Sequence, residues 1–120
     1  MKDNKTTINE LKFAVQKFCD ERNWRQFHNA KELSIGISTE AGELLEYFRF
    51  KTESQIAEKF ENKEKKDKIS QELSDIFYFT LRFAELYDID LSQELIKKIE
   101  LNKQKYPISK AYNSNKKYNE

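Results

Sequence analysis

The sequence predicts an all-α fold, a bundle of four to five helices, and three observations carry that prediction. Its 120 residues hold only two glycines and one proline, too few for the turns of an all-β chain or the glycine-rich loops of a dinucleotide fold. Apolar residues recur at three- and four-residue spacing over several segments. The links between those segments are short, which favours helices packed side by side. The length corresponds to one domain, residues 1–120, with a core over about 7–106 and a polar, basic tail over 107–120.

The first helix runs from about Thr7 to Arg22, where Ile8, Leu11, Val15, Phe18 and Cys19 form one apolar stripe. Thr7 or Thr6 caps its start, with Glu10 in capping-box position after Thr7. The segment Asn23 to Asn29 breaks the periodicity yet holds Trp24, Phe27 and the only histidine, His28. A second helix extends from about Ala30 to Phe50, and Lys51 to Lys63 reads as a polar connector with at most a helical turn around Ile56 and Phe60. The third helix covers about Lys65 to Tyr87, with Ile69, Leu73, Ile76, Thr80 and Phe83 as its core stripe. Asp90 caps a fourth, Leu91 to about Tyr106, on which Leu95 and Ile99 form an apolar pair and which Pro107 stops. From Pro107 onward no core pattern remains.

A lone cysteine cannot form an internal disulfide, so Cys19 points to a reducing compartment and reads as a core residue. No apolar run approaches the roughly 18 residues of a membrane span and no secretory leader opens the chain, so a cytoplasmic protein without membrane contact is expected. The net charge of +1 conceals an asymmetry. Residues 97–120 carry seven lysines against two glutamates, whereas residues 1–96 carry 15 basic against 19 acidic side chains. That division suits carboxylates holding a cation and lysines meeting an anionic ligand, and it equally suits a solvated tail. The acidic body would repel a nucleic-acid backbone, so no nucleic-acid partner is expected.

Two acidic pairs stand out: Glu40 and Glu43, followed by Glu46, on the second helix, and Glu72 and Asp75 on the third. Residues at i and i+3 share a helix face, so two carboxylates can meet one cation. Antiparallel packing would bring the pairs together as four carboxylates, which must be neutralised because close carboxylates raise one another's pKa. Oxygen ligands without Cys or His favour Mg²⁺ or Mn²⁺ over Zn²⁺. The same spacing recurs at Glu58/Glu61, Glu61/Glu64, Glu64/Asp67 and Glu85/Asp88, where it marks a solvated face. What sets the chosen pairs apart is a shared stripe with aromatics: Gly36, Glu40, Glu43, Tyr47 and Phe50 on one helix, and Glu72, Asp75 and Phe79 on the other. Spacing and context leave a metal site and structural salt bridges to lysines equally open.

The ordered set Trp24-x-Gln26-Phe27-His28, Glu40-x-Gly42-Glu43-Leu44, Phe50-Lys51-Thr52 and Glu72-Leu73-Ser74-Asp75 resembles the MazG-like all-α nucleotide pyrophosphohydrolases. More narrowly it resembles their dCTP pyrophosphatase branch, to which Asn102-x-x-x-Tyr106-Pro107 and Ser114-x-Lys116-Lys117-Tyr118 are also similar. The resemblance implies the all-α NTP pyrophosphatase fold, assembly as a homodimer or homotetramer, and Mg²⁺-dependent cleavage of a nucleoside triphosphate into monophosphate and pyrophosphate for nucleotide-pool house-cleaning. It implies Glu40, Glu43, Glu72 and Asp75 as metal ligands, and the chemistry of the cleavage makes one carboxylate, Glu43 or Glu46, the acceptor of the attacking water's proton. It places Trp24, Arg25, Gln26, Phe27 and His28 against the nucleoside or its phosphates, with Phe50 as an aromatic wall and Phe79 in the base pocket. Lys98, Asn102 and Tyr106 become candidate phosphate or sugar contacts. Relatives commonly carry tryptophan at Phe50 and tyrosine at Phe79, and a histidine can stand at Val15. Stacking survives these changes, whereas reading an exocyclic group needs a polar partner. A related nucleotide such as dUTP, or a non-catalytic helical module, are the alternative readings.

Overall fold

The computed structural model describes residues 1–120 as helices and turns without a strand. Six helices follow in order: α1 Ile8–Glu21, α2 Ala30–Glu46, α3 Glu53–Glu61, α4 Lys63–Leu86, α5 Leu91–Lys105 and α6 Ile108–Ala111, with a 3₁₀ turn at Arg25–Phe27 between α1 and α2. No helix is long and apolar enough to cross a membrane. The chain forms two compact units, Met1–Asp88 and Ile89–Glu120.

Local hydrogen bonds set most helix starts. The Thr7 hydroxyl accepts the Glu10 N–H at 3.1 Å, and it returns a bond to the Glu10 carboxylate at 3.2 Å. Asn29, Asn62 and Asp90 cap α2, α4 and α5 in the same way, accepting from Glu32, Lys65 and Gln93. Each such cap is worth about 1 kcal/mol against alanine.

The first unit is organised around α4, the longest helix, which packs against α2, α1 and α3 and most extensively against α2. Cys19, Leu33, Ile69, Leu81 and Ala84 are its buried apolar residues. The Cys19 thiol lies 3.3 Å from the Tyr78 hydroxyl, and burial followed by that contact pushes the Tyr78 phenol well above its ordinary range.

The structure corrects five readings. The second helix stops at Glu46 rather than Phe50. Phe50 has a left-handed backbone at φ 64° and is 89% exposed, so it leaves the stripe of Glu40 and Glu43. The stretch 51–63 is not a connector but contains α3, started by a full capping box between Thr52 and Gln55. Leu73, placed on the core stripe from its spacing, is 58% exposed. The tail holds α6, which begins after Pro107, whose backbone is extended at φ −62° and ψ 145°.

Arg82 is the one charged core residue, only 1% exposed. Its Nη1 donates to Glu85 Oε2 at 2.7 Å and its Nε to His28 Nδ1 at 2.9 Å, while its Nη2 is buried without a partner. Arg82→Ala should therefore lower stability by about 3–5 kcal/mol, since it opens a cavity and leaves the Glu85 charge half-buried and unpaired. A urea titration should show the loss as a lower midpoint at unchanged slope.

Candidate metal centre and nucleotide site

Three pairings show that α2 and α4 run antiparallel. The Ala30 N–H donates to the Tyr87 hydroxyl at 2.7 Å, Gly36 lies against the Phe79 ring, and Glu40 faces Glu72. With a rise of about 1.5 Å per residue, Glu72, Asp75, Phe79 and Arg82 occupy one face of α4 over about 15 Å. Acids stand at one end, the Gly36–Phe79 contact in the middle, and Arg82 with His28 at the other end.

At the acidic end, carboxylate oxygens of Glu40, Glu43 and Glu72 all lie within 4.8 Å of one another. Glu40 Oε2 and Glu72 Oε2 are buried and have no hydrogen-bond partner. Burial first, then contact with Glu72 and Glu43, then the charges of Glu43 and Asp75 raise the Glu40 pKa from 4.5 to about 7. None of the salt bridges in the structure engages these four acids. The salt-bridge alternative thus has no cation to supply it, and orphaned oxygens on hard carboxylate donors fit a divalent ion of the Mg²⁺ type. Asp75 is more exposed and acts on Glu40 through its charge without joining the three clustered oxygens.

The remaining candidates are distributed unevenly. Trp24 packs edge-on to Phe18 at 5.5 Å and lies 6.4 Å from the His28 ring. Arg25 Nη1 donates to the His28 carbonyl at 3.1 Å, and Gln26 Nε2 to the Asn23 carbonyl at 3.0 Å, so both hold the 3₁₀ turn in shape. Phe27 is exposed. Glu46 is also exposed and its Oε1 accepts from Arg49 Nη1 at 3.1 Å. Phe50 is not brought to the acids, and its ring is covered by the Arg49 guanidinium 4.6 Å away. In the second unit, Lys98 and Asn102 are exposed on α5, and Tyr106 ends that helix with its ring edge-on to Tyr118 at 6.0 Å. A hollow in this unit is lined by Tyr106, Tyr118, Lys105, Lys110, Lys116 and Lys117 among others.

Sequence reasoning missed Arg82. A signal was present: it is the only charge in the run Ile76 to Ala84, where a solvated side chain would be out of place.

Comparison with known proteins follows this geometry. A model described as the MazG-like family matches residues 35–120. The chain is 29% identical to dCTP pyrophosphatase 1 of Homo sapiens over 114 residues, 95% of this chain and 67% of that protein. It is 30% identical to dCTP pyrophosphatase 1 of Mus musculus over 112 residues, 93% of this chain and 66% of that protein. The chain therefore spans about two thirds of the length of these relatives. The crystal structure of a pyrophosphatase from Archaeoglobus fulgidus superimposes with a TM-score of 0.78 at 28% identity, covering 89% of this chain and 98% of that one.

Proposed function

The chain belongs to the MazG-like family, and on that premise we propose that it is a Mg²⁺-dependent nucleoside triphosphate pyrophosphohydrolase acting on dCTP or a related deoxynucleotide. The observation that carries this reading is the cluster of Glu40, Glu43 and Glu72 with two buried, unpartnered oxygens. Its products are the nucleoside monophosphate and pyrophosphate, and its role is clearance of unwanted nucleotides from the cytoplasmic pool. The dCTP preference rests on the names of the mammalian relatives.

Glu40, Glu43, Glu72 and Asp75 would hold the ion, with Mn²⁺ as a possible substitute. When bound, Mg²⁺ neutralises phosphate oxygens and lowers the pKa of a water. Phosphoanhydride cleavage otherwise asks the protein for alignment rather than a nucleophile. Glu43 is the better placed of the two candidate bases, since it stands in the acid cluster whereas Glu46 is paired with Arg49. Phe79 offers the base a ring face, and Trp24 and His28 border the far end of the same α4 face. By resemblance alone, Lys98, Asn102 and Tyr106 are assigned to phosphate or sugar, and residues 1–120 to one functional domain.

Product analysis with Mg²⁺ and each of the common deoxy- and ribonucleoside triphosphates tests the reading. Monophosphate and pyrophosphate in equal amounts, lost in Glu43→Gln, are expected. No turnover of any nucleotide by folded, metal-supplied protein would overturn it in favour of a non-catalytic module.

Self-association as a homodimer or homotetramer is part of the same proposal. Helix α5 has no buried residue although Leu95 and Ile96 are apolar and 61% and 60% exposed. A helix of this length gains its stability from an apolar face that is covered. Leu95→Glu with Ile99→Glu should shift the protein from a multiple of 14.4 kDa to the monomer in sedimentation. A wild-type protein that already sediments as a monomer would refute the assembly.

A further inference from the structure

We propose that Arg82 is a positioning residue: its guanidinium holds His28 as the neutral tautomer protonated on Nε2, and so makes that nitrogen a fixed hydrogen-bond donor for an acceptor atom of the nucleotide. The inference rests on the functional reading above for the nucleotide, and on geometry alone for the tautomer.

An arginine Nε carries a proton at every accessible pH and can only donate. It lies 2.9 Å from His28 Nδ1, so Nδ1 must be the unprotonated nitrogen and the ring proton must sit on Nε2. The guanidinium is itself held by Glu85 at 2.7 Å, and it is almost fully buried. On the other side, Arg25 Nη1 donates to the His28 carbonyl at 3.1 Å and fixes the backbone that carries the ring. The charged groups facing His28 are thus Arg82 and Glu85 from α4 and Arg25 from the 3₁₀ turn. Burial, then Arg82, then Arg25 lower the His28 pKa, and Glu85 opposes them. The neutral ring therefore persists below the pH at which an ordinary histidine titrates.

Packing alone does not account for Arg82. Its Nη2 is buried without a partner, a desolvation cost that a methionine of similar length would avoid. The position lies on the same α4 face as Glu72, Asp75 and Phe79. With the acids marking the phosphate end of that face, His28, bonded to Arg82 at the other end, is assigned to the nucleoside end. Phe79 offers no polar group on that face, so a donor held in one tautomer beside it adds the hydrogen-bonding selectivity that stacking lacks.

Because His28 is the only histidine, its ¹⁵N spectrum reads the tautomer without assignment. Wild-type protein should show one neutral form protonated on Nε2, titrating below 6.5. The variant Arg82→Met with Glu85→Gln removes both members of the ion pair together, so its fold should persist in circular dichroism. It should show mixed tautomers, a His28 titration moved up toward 6.5, and a KM raised about tenfold with kcat changed less than twofold. Arg82→Lys, which keeps a donor and a charge, should restore the Nε2–H form and most of the KM. A wild-type ring protonated on Nδ1, or a double variant with unchanged tautomer and KM, would overturn the proposal. Absence of any wild-type turnover would instead remove the nucleotide reading and the donor's role with it, while the spectrum still decides whether Arg82 sets the tautomer.

Discussion

Glu40→Gln is expected to abolish pyrophosphate release, by on the order of 10³-fold or about 4 kcal/mol of barrier, and at the same time to make the metal-free protein harder to unfold at pH 8. Both effects follow from one carboxylate. In the unfolded chain Glu40 titrates at the ordinary 4.5, but in the folded, metal-free chain at about 7. Between those values the folded state binds a proton that the unfolded state has released. The corresponding stability is fully present below pH 4.5 and is lost as the pH rises through about 7. Thermal melts of the metal-free wild type should accordingly decline across that window, and glutamine, which carries no charge to repel Glu43 and Glu72, should flatten the decline. On the proposed reading, Mg²⁺ would compete with the proton for Glu40. The rise in melting temperature it produces in the wild type should grow from pH 6 to pH 8 and be absent in the variant. A variant that loses activity but melts like the wild type at every pH would mean that the acids are not a repelling cluster, and the metal reading would lose its physical basis.

The helices with strong local signals were legible in the sequence, and the reasons lie in particular residues. Thr7 and Asp90 cap α1 and α5 where expected, because a cap is made by a side chain and backbone three residues apart. Pro107 ends α5 because it lacks the N–H that another turn would need. The acidic pairs were legible as faces of two helices, but their convergence was not, since it depends on the antiparallel packing of α2 against α4. Helix α3 was legible only as a short turn around Ile56 and Phe60, because these are its only large apolar residues, although Thr52 and Gln55 carried the capping-box signal. The end of α2 was missed for a different reason. No glycine or proline marks it, and Phe50 adopts a left-handed backbone that costs a bulky residue about 1–2 kcal/mol and leaves no trace in composition. Arg82 leaves a trace as the lone charge in an apolar run, but its pairing with His28, 54 residues away, lies beyond the reach of any spacing rule.

Gly36→Ala should couple stability to the nucleoside pocket through a reversal of sign. An added Cβ at Gly36 would come within 2.7–2.8 Å of three atoms of the Phe79 ring, where ordinary contact needs about 3.5–4.0 Å. The backbone there is helical and needs no left-handed freedom, so the glycine is present for space. Two opposed terms then decide the outcome. Alanine improves helix propensity by about 0.8–1.0 kcal/mol, while overpacking costs about 1–3 kcal/mol. The half-buried ring can be relieved only by tilting away from α2, and Gly36→Ala is expected to lose about 1–2 kcal/mol and to raise KM as the stacking face moves. In a Phe79→Leu background the clash is gone and the same substitution should become stabilising by up to about 1 kcal/mol. Denaturant titrations of the four proteins give the coupling directly. A sign change between backgrounds assigns the glycine to the ring. Stabilisation in both would mean that Phe79 swings aside without cost, in which case its ring is too loosely held to select a base, and the discrimination falls to His28 and the residue that orients it.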